Sequence, residues 1–120
     1  DAYHRGVVMS GVSAGAICWF NKGITDSWEN DLFLLPCLGI VNGSCCPHYD
    51  EEKNRRPAVM KMLKEGLLKD CFCIEGGSAL HFKNDDLYKN VSFSENKRSY
   101  ITKWENGSFI EKEISSIQIK

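Results

Sequence analysis

The pattern of apolar and polar positions divides the chain into short segments. Val7 to Met9 is apolar and β-branched and reads as a buried strand. It turns through Gly11-Val12-Ser13-Ala14-Gly15 into Ala16-Ile17-Cys18-Trp19-Phe20, which predicts a helix stopping at Gly23. Residues 24–30 are mostly polar and predict a loop. Residues 32–39 are apolar but broken by Pro36 and Gly39, so they suit a turn or short edge segment. Gly39 to Cys46 predicts a second strand, leading into Pro47-His48-Tyr49-Asp50. Val59, Met62, Leu63 and Leu67 share one face at helical spacing, with Lys61 and Lys64 turned away, so a helix is expected from Arg55 or Pro57 to Leu67. Cys71 to Glu75 is a short buried strand bent by Gly76-Gly77. Residues 79–83 and 87–93 predict further strands. Residues 100–112 alternate around Asn106-Gly107, a strong hairpin signal.

The chain has 120 residues, room for one domain at most. A net charge of −1, with both signs interspersed, implies neither a nucleic-acid nor a polyanion partner. No apolar run approaches a membrane span and no signal peptide opens the chain, which fits a cytoplasmic protein. Residues 1–6 read as the tail of a helix with Gly6 just beyond its end. Six cysteines form no C-x-x-C pair, so they read as reduced, buried small hydrophobes. A zinc site from Cys45, Cys46 and His48 is disfavoured, because adjacent residues on a strand point apart.

The sharpest chemical signal is G-x-S-x-G between strand and helix. Such a turn projects the Ser13 hydroxyl, and Gly11 and Gly15 remove Cβ atoms that would collide across it. The helix that follows aims its N–H groups and dipole at a reacting oxygen, with the N–H of Ala14 as an oxyanion-hole donor. A serine nucleophile needs a base, and the base an orienting acid. His48 follows one strand end and Glu75 closes another. In open α/β sheets such ends gather the active site. The alternative order Ser13, Asp50, His81 would suit an α/β-hydrolase, but the chain is far too short for that domain.

Ser13-Ala14-Gly15-Ala16 after Val8-Met9-Ser10-Gly11-Val12, then Pro47-His48-Tyr49, then Ile74-Glu75-Gly76-Gly77-Ser78-Ala79-Leu80, resembles the peptidase E family of aspartyl dipeptidases, relatives of the cyanophycinases. The resemblance covers about residues 1–85. It implies a serine peptidase cleaving short peptides, in particular dipeptides with N-terminal Asp. Ser13 is then nucleophile, His48 base and Glu75 acid, and no metal or organic cofactor is needed. Asp26 falls near an aspartate that the family carries after the nucleophile helix. Arg55 and Arg56 are further candidate substrate contacts, able to clamp a carboxylate, although both also suit a solvated helix start.

The fold implied is α/β, class I glutamine-amidotransferase-like: a three-layer, mostly parallel sheet flanked by helices and ending in a β-hairpin. Residues 1–120 would form the C-terminal part of this single domain. The upstream half, with its glycine-rich loop and second oxyanion donor, would be a partner, as would a second copy in a homodimer. The alternatives are another Ser-dependent amidase or esterase, or a non-catalytic binding module of the same fold.

Overall fold

A computed structural model describes residues 3–25, 32–84, 86–93 and 96–118. It is an α/β structure built on a mixed six-stranded sheet, with a second sheet of three strands. The elements run α1 (Ala14–Ile17), β1 (Phe20–Thr25), β2 (Phe33–Pro36), β3 (Val41–Cys46), α2 (Arg55–Lys64), β4 (Asp70–Ile74), β5 (Ser78–Lys83), β6 (Asp86–Ser92), β7 (Ser99–Glu105), β8 (Ser108–Glu113) and β9 (Ser116–Gln118). The main sheet has the order β2-β1-β3-β4-β7-β8. Its centre, β1-β3-β4, is parallel, and antiparallel strands flank it on both sides. The second sheet is β5-β6-β9. This arrangement is compatible with part of a class I glutamine-amidotransferase-like fold ending in a hairpin.

Alternation along the central strands sorts the core into two layers. Cys46, Cys71 and Cys73 face α2, where they pack with Ile24, Val59, Met62, Leu63 and Leu68. Cys45 points the other way and joins Ile17, Phe20 and Val41, with Phe72 and Phe82 against them. The adjacent cysteines thus lie on opposite faces of the sheet. Burial pushes the Cys45, Cys46 and Cys71 thiols up, with the Cys73 hydrogen bond ahead of burial for Cys71, so they remain protonated.

Helix α2 ends where its sequence provides a stop. Gly66 takes φ +78°. The N–H of Leu67 reaches the Met62 carbonyl at 3.0 Å, and that of Gly66 reaches Leu63 at 3.2 Å, a Schellman closure. The helix therefore stops at Lys64, short of Leu67, and Leu68 takes the core position while Leu67 is exposed. The turn between β7 and β8 is the expected one: Asn106 and Gly107 both have positive φ, as a two-residue hairpin of right-handed twist demands.

Two expectations for the first 25 residues change. Residues 7–10 have no strand partner among the described residues, and Val8 is 89 % exposed rather than buried. The helix after Ser13 is a single turn, and Phe20–Thr25 is strand β1. Gly23 explains the change, since a Cβ there would sit 2.6 Å from the Cβ of Ile17. The chain folds straight back, packing α1 directly onto β1. No helix among the described residues is long and apolar enough to cross a membrane.

Candidate functional site

Ser13 occupies the N-cap of α1 with φ 56° and ψ −119°, a conformation that costs a side-chain-bearing residue roughly 1–3 kcal/mol. Serine at this position ordinarily spends its hydroxyl capping the helix. Here the hydroxyl makes no capping bond. It lies instead 2.9 Å from Nε2 of His48. The turn depends on Gly11, where any Cβ would collide with the Gly15 carbonyl. Gly15 does not share that role: a Cβ there meets nothing within 4 Å.

The backbone N–H groups after Ser13 are partly committed. Gly15 donates to Val12 at 2.9 Å, and Ala16 and Ile17 to Ser13 at 2.9 and 3.1 Å. The N–H of Ala14 donates to no backbone carbonyl among the described residues. Because α1 is one turn long, its dipole is small, and any help to an oxyanion comes from this individual N–H.

His48 sits beyond the end of β3, after Pro47. Its φ is also positive, at 55°. The chain turns tightly, with the Glu51 N–H bonded to the His48 carbonyl at 3.1 Å. That turn brings Glu51 Oε1 within 2.7 Å of His48 Nδ1. A carboxylate at Nδ1 fixes the proton on that nitrogen and leaves Nε2 as an acceptor facing the Ser13 hydroxyl. The turn is tied to its surroundings through Tyr49 and Asp50. The Tyr49 N–H donates to the Ile74 carbonyl at 3.0 Å, and the Tyr49 hydroxyl donates to Glu111. Asp50 accepts from the Gly76 N–H at 2.8 Å and pairs with Lys97. Burial alone would raise the Asp50 carboxyl, but the bonds from Lys97 and Gly76 hold it below the usual carboxylate range.

Glu75, the acid expected from the sequence, is not the carboxylate on His48. Its Oε1 accepts the Arg98 N–H at 2.7 Å, and its own N–H donates to the Arg98 carbonyl at 3.1 Å. The side chain thus turns back to clamp the segment entering β7. Partial burial pushes its carboxyl up, the nearby Asp50 charge adds to this, and the Arg98 N–H opposes it. The imidazole instead meets Glu51, from the acidic stretch Asp50-Glu51-Glu52 that follows it in the chain. The available signal was the spacing His48-Tyr49-Asp50-Glu51, three residues apart across one turn.

The arginines are otherwise engaged. Arg55 is 3 % exposed, donating to the Ile24 carbonyl at 3.0 Å and to Glu52 at 3.1 Å. Arg56 pairs with Glu111 at 3.1 Å and stacks over Phe109. Among the described residues, the side chain bonded to the Ser13–His48 pair is that of Glu51. Asp26 lies outside the described residues. His81 is exposed on β5, edge-on to Tyr88. Among the described residues no cluster of three or more His, Cys, Asp or Glu side chains is placed to hold a metal ion.

Comparison with known families assigns the chain. The sequence model described as Peptidase family S51 matches residues 1–89, and the chain belongs to that family. It is also similar to a protein named "Uncharacterized peptidase YgaJ" from Bacillus subtilis (strain 168), with 46 % identity over 100 residues. That match covers 83 % of this chain and 43 % of the relative, so the chain spans under half the relative's length.

Proposed function

We propose that the protein is a serine peptidase acting by acyl transfer, with Ser13, His48 and Glu51 as its relay. The observation that carries this reading is the unbroken line of contacts from Glu51 through the imidazole to a serine hydroxyl on a strained turn. In the reaction, Nε2 of His48 takes the hydroxyl proton as Ser13 Oγ attacks the peptide carbonyl. Glu51 stabilises the imidazolium that forms. The Ala14 N–H supplies a hydrogen bond to the oxyanion. His48 then hands its proton to the leaving amine, and water releases the acyl group by the reverse sequence. Glu75 acts at one remove, clamping the Arg98 segment next to Gly76, to which the His48 turn is tied.

The substrate class is short peptides, dipeptides with N-terminal Asp first among them, as the resemblance of the three motifs to aspartyl dipeptidases implies. Family membership supports the peptidase part of this reading. Two measurements test it on the intact protein. A fluorophosphonate should label Ser13, and the Ser13→Ala variant should take no label. Asp-X dipeptides should be cleaved in preference to other dipeptides and to simple esters. Turnover undiminished in Ser13→Ala would reject the nucleophile. Preference for esters would reassign the substrate while leaving the relay in place.

A further inference from the structure

Two consecutive glycines follow β4, and they serve different ends. Gly77 takes φ +87°, a left-handed conformation that favours glycine on backbone grounds. Gly76 lies outside that region, so its backbone would accept alanine. What a side chain at 76 would meet is Glu51: an added Cβ would stand 2.5 Å from its carboxyl carbon and closer still to one of its oxygens, so this flexible carboxylate would have to move. The carboxylate on His48 Nδ1 therefore lies directly against the Cα of Gly76.

The same residue handles the neighbouring acid. The Gly76 N–H binds Asp50 Oδ1 at 2.8 Å, and Lys97 holds the other oxygen. Of two adjacent carboxylates in the turn, one is thus drawn off onto a peptide N–H and a lysine, and the other is left to the imidazole. The Glu51 side chain is 51 % exposed, so solvent alone would let it swing through several rotamers. A bare backbone at 76 gives it a surface to rest on.

We infer that Gly76 is a positioning residue for the His48–Glu51 pair, keeping the space in which the orienting carboxylate sits. The inference rests on the acyl-transfer reading above and extends it to a residue that touches no reacting atom. Alanine at 76 would push the Glu51 carboxylate off Nδ1. The imidazole would then lose its orienting acid while Ser13 and His48 stay in place.

The test is a double-mutant cycle on the intact protein. The readout is the rate at which a fluorophosphonate labels Ser13, with a thermal melt to confirm folding. Gly76→Ala should slow labelling about 100-fold, as a displacement of about 1 Å at a reacting constellation does. In a Glu51→Gln background the same change should cost less than about threefold, since the contact it disturbs no longer serves. Unaltered labelling in Gly76→Ala overturns the inference, as does an equal loss in both backgrounds. If Gly76→Ala does not fold, Asp50→Ala removes the tie to the Gly76 N–H and enters the same cycle. It should slow labelling about tenfold only when Glu51 is present, and equal losses again overturn the inference. Failure of the parent protein to label at Ser13 instead defeats the acyl-transfer reading itself.

Discussion

The hydroxyl of Ser13 and Nε2 of His48 stand 2.9 Å apart although 35 positions separate them in the chain. Both residues hold positive φ angles, 56° and 55°. Neither is a glycine, so each end of the contact stores backbone strain that the surrounding structure must hold.

That strain predicts a trade between stability and activity. Ser13→Gly should raise the stability of the protein by about 1 kcal/mol, because glycine takes this conformation without a Cβ penalty, and should abolish hydrolysis. Denaturant unfolding of the variant beside Ser13→Ala checks it. Equal stability for the two variants would show that residue 13 is unstrained.

The two candidate acids separate by substitution. Glu51→Gln should lower kcat by about 10²–10⁴-fold, since the amide cannot steady an imidazolium as a carboxylate does. Glu75→Gln leaves the His48 contact intact and should cost less than about tenfold. Steady-state kinetics with an Asp-X dipeptide decides, and the reverse ranking would restore Glu75 to the relay.

Gly11 and Gly15 flank the same serine but should respond oppositely to alanine. Gly11→Ala drives a methyl into the Gly15 carbonyl and should destabilise the protein by more than about 2 kcal/mol. Gly15 lies in α1 with open space around its Cα, so Gly15→Ala should be neutral or stabilising by up to about 1 kcal/mol. Chemical denaturation of the two single variants checks both signs.

Asp50 makes stability depend on pH in one direction. Its folded carboxyl sits below the ordinary carboxylate value, because the Lys97 and Gly76 hydrogen bonds outweigh the upward push of burial. Its contribution is therefore present above the unfolded-state pKa and is lost as pH falls through the folded one. The stability gap between the parent and Asp50→Asn should be constant near neutrality and close in the acid range, below about pH 4. A gap that widens on acidification would contradict the Lys97–Asp50–Gly76 arrangement.

Arg55 should behave as a structural residue. Its guanidinium binds the Ile24 carbonyl and Glu52 from a buried position, so Arg55→Ala should cost about 1–3 kcal/mol of stability. KM for an Asp-X dipeptide should change little. A raised KM at unchanged stability would return Arg55 to the substrate site.

Legibility in the sequence followed the range of the forces involved. The Asn106-Gly107 turn, β3, β4 and the start of α2 were visible because local chemistry decides them: a left-handed dipeptide, apolar runs of strand length, and helical spacing. Ser13 and His48 were visible because each follows a recognisable punctuation, Gly-x-Ser-x-Gly or Pro-His. The helix expected beyond Ile17 was not realised, since its apolar residues suit a strand equally well and packing of Ile17 on Gly23 chose between them. Strand β9 gave no signal, because three residues acquire strand character only by pairing with β6. Glu51 went unread for a related reason. An exposed acid among other acids looks like solvated surface until a turn carries it to an imidazole.

The base and its carboxylate sit three residues apart on one turn, whereas the serine comes from a separate turn. Acid and base therefore travel as one cassette. Any movement of that cassette away from the hydroxyl would leave the proton-handling couple internally whole, but would first have to break its ties to Ile74, Gly76, Lys97 and Glu111. A pair so built keeps its own alignment whatever happens to its gap to the serine.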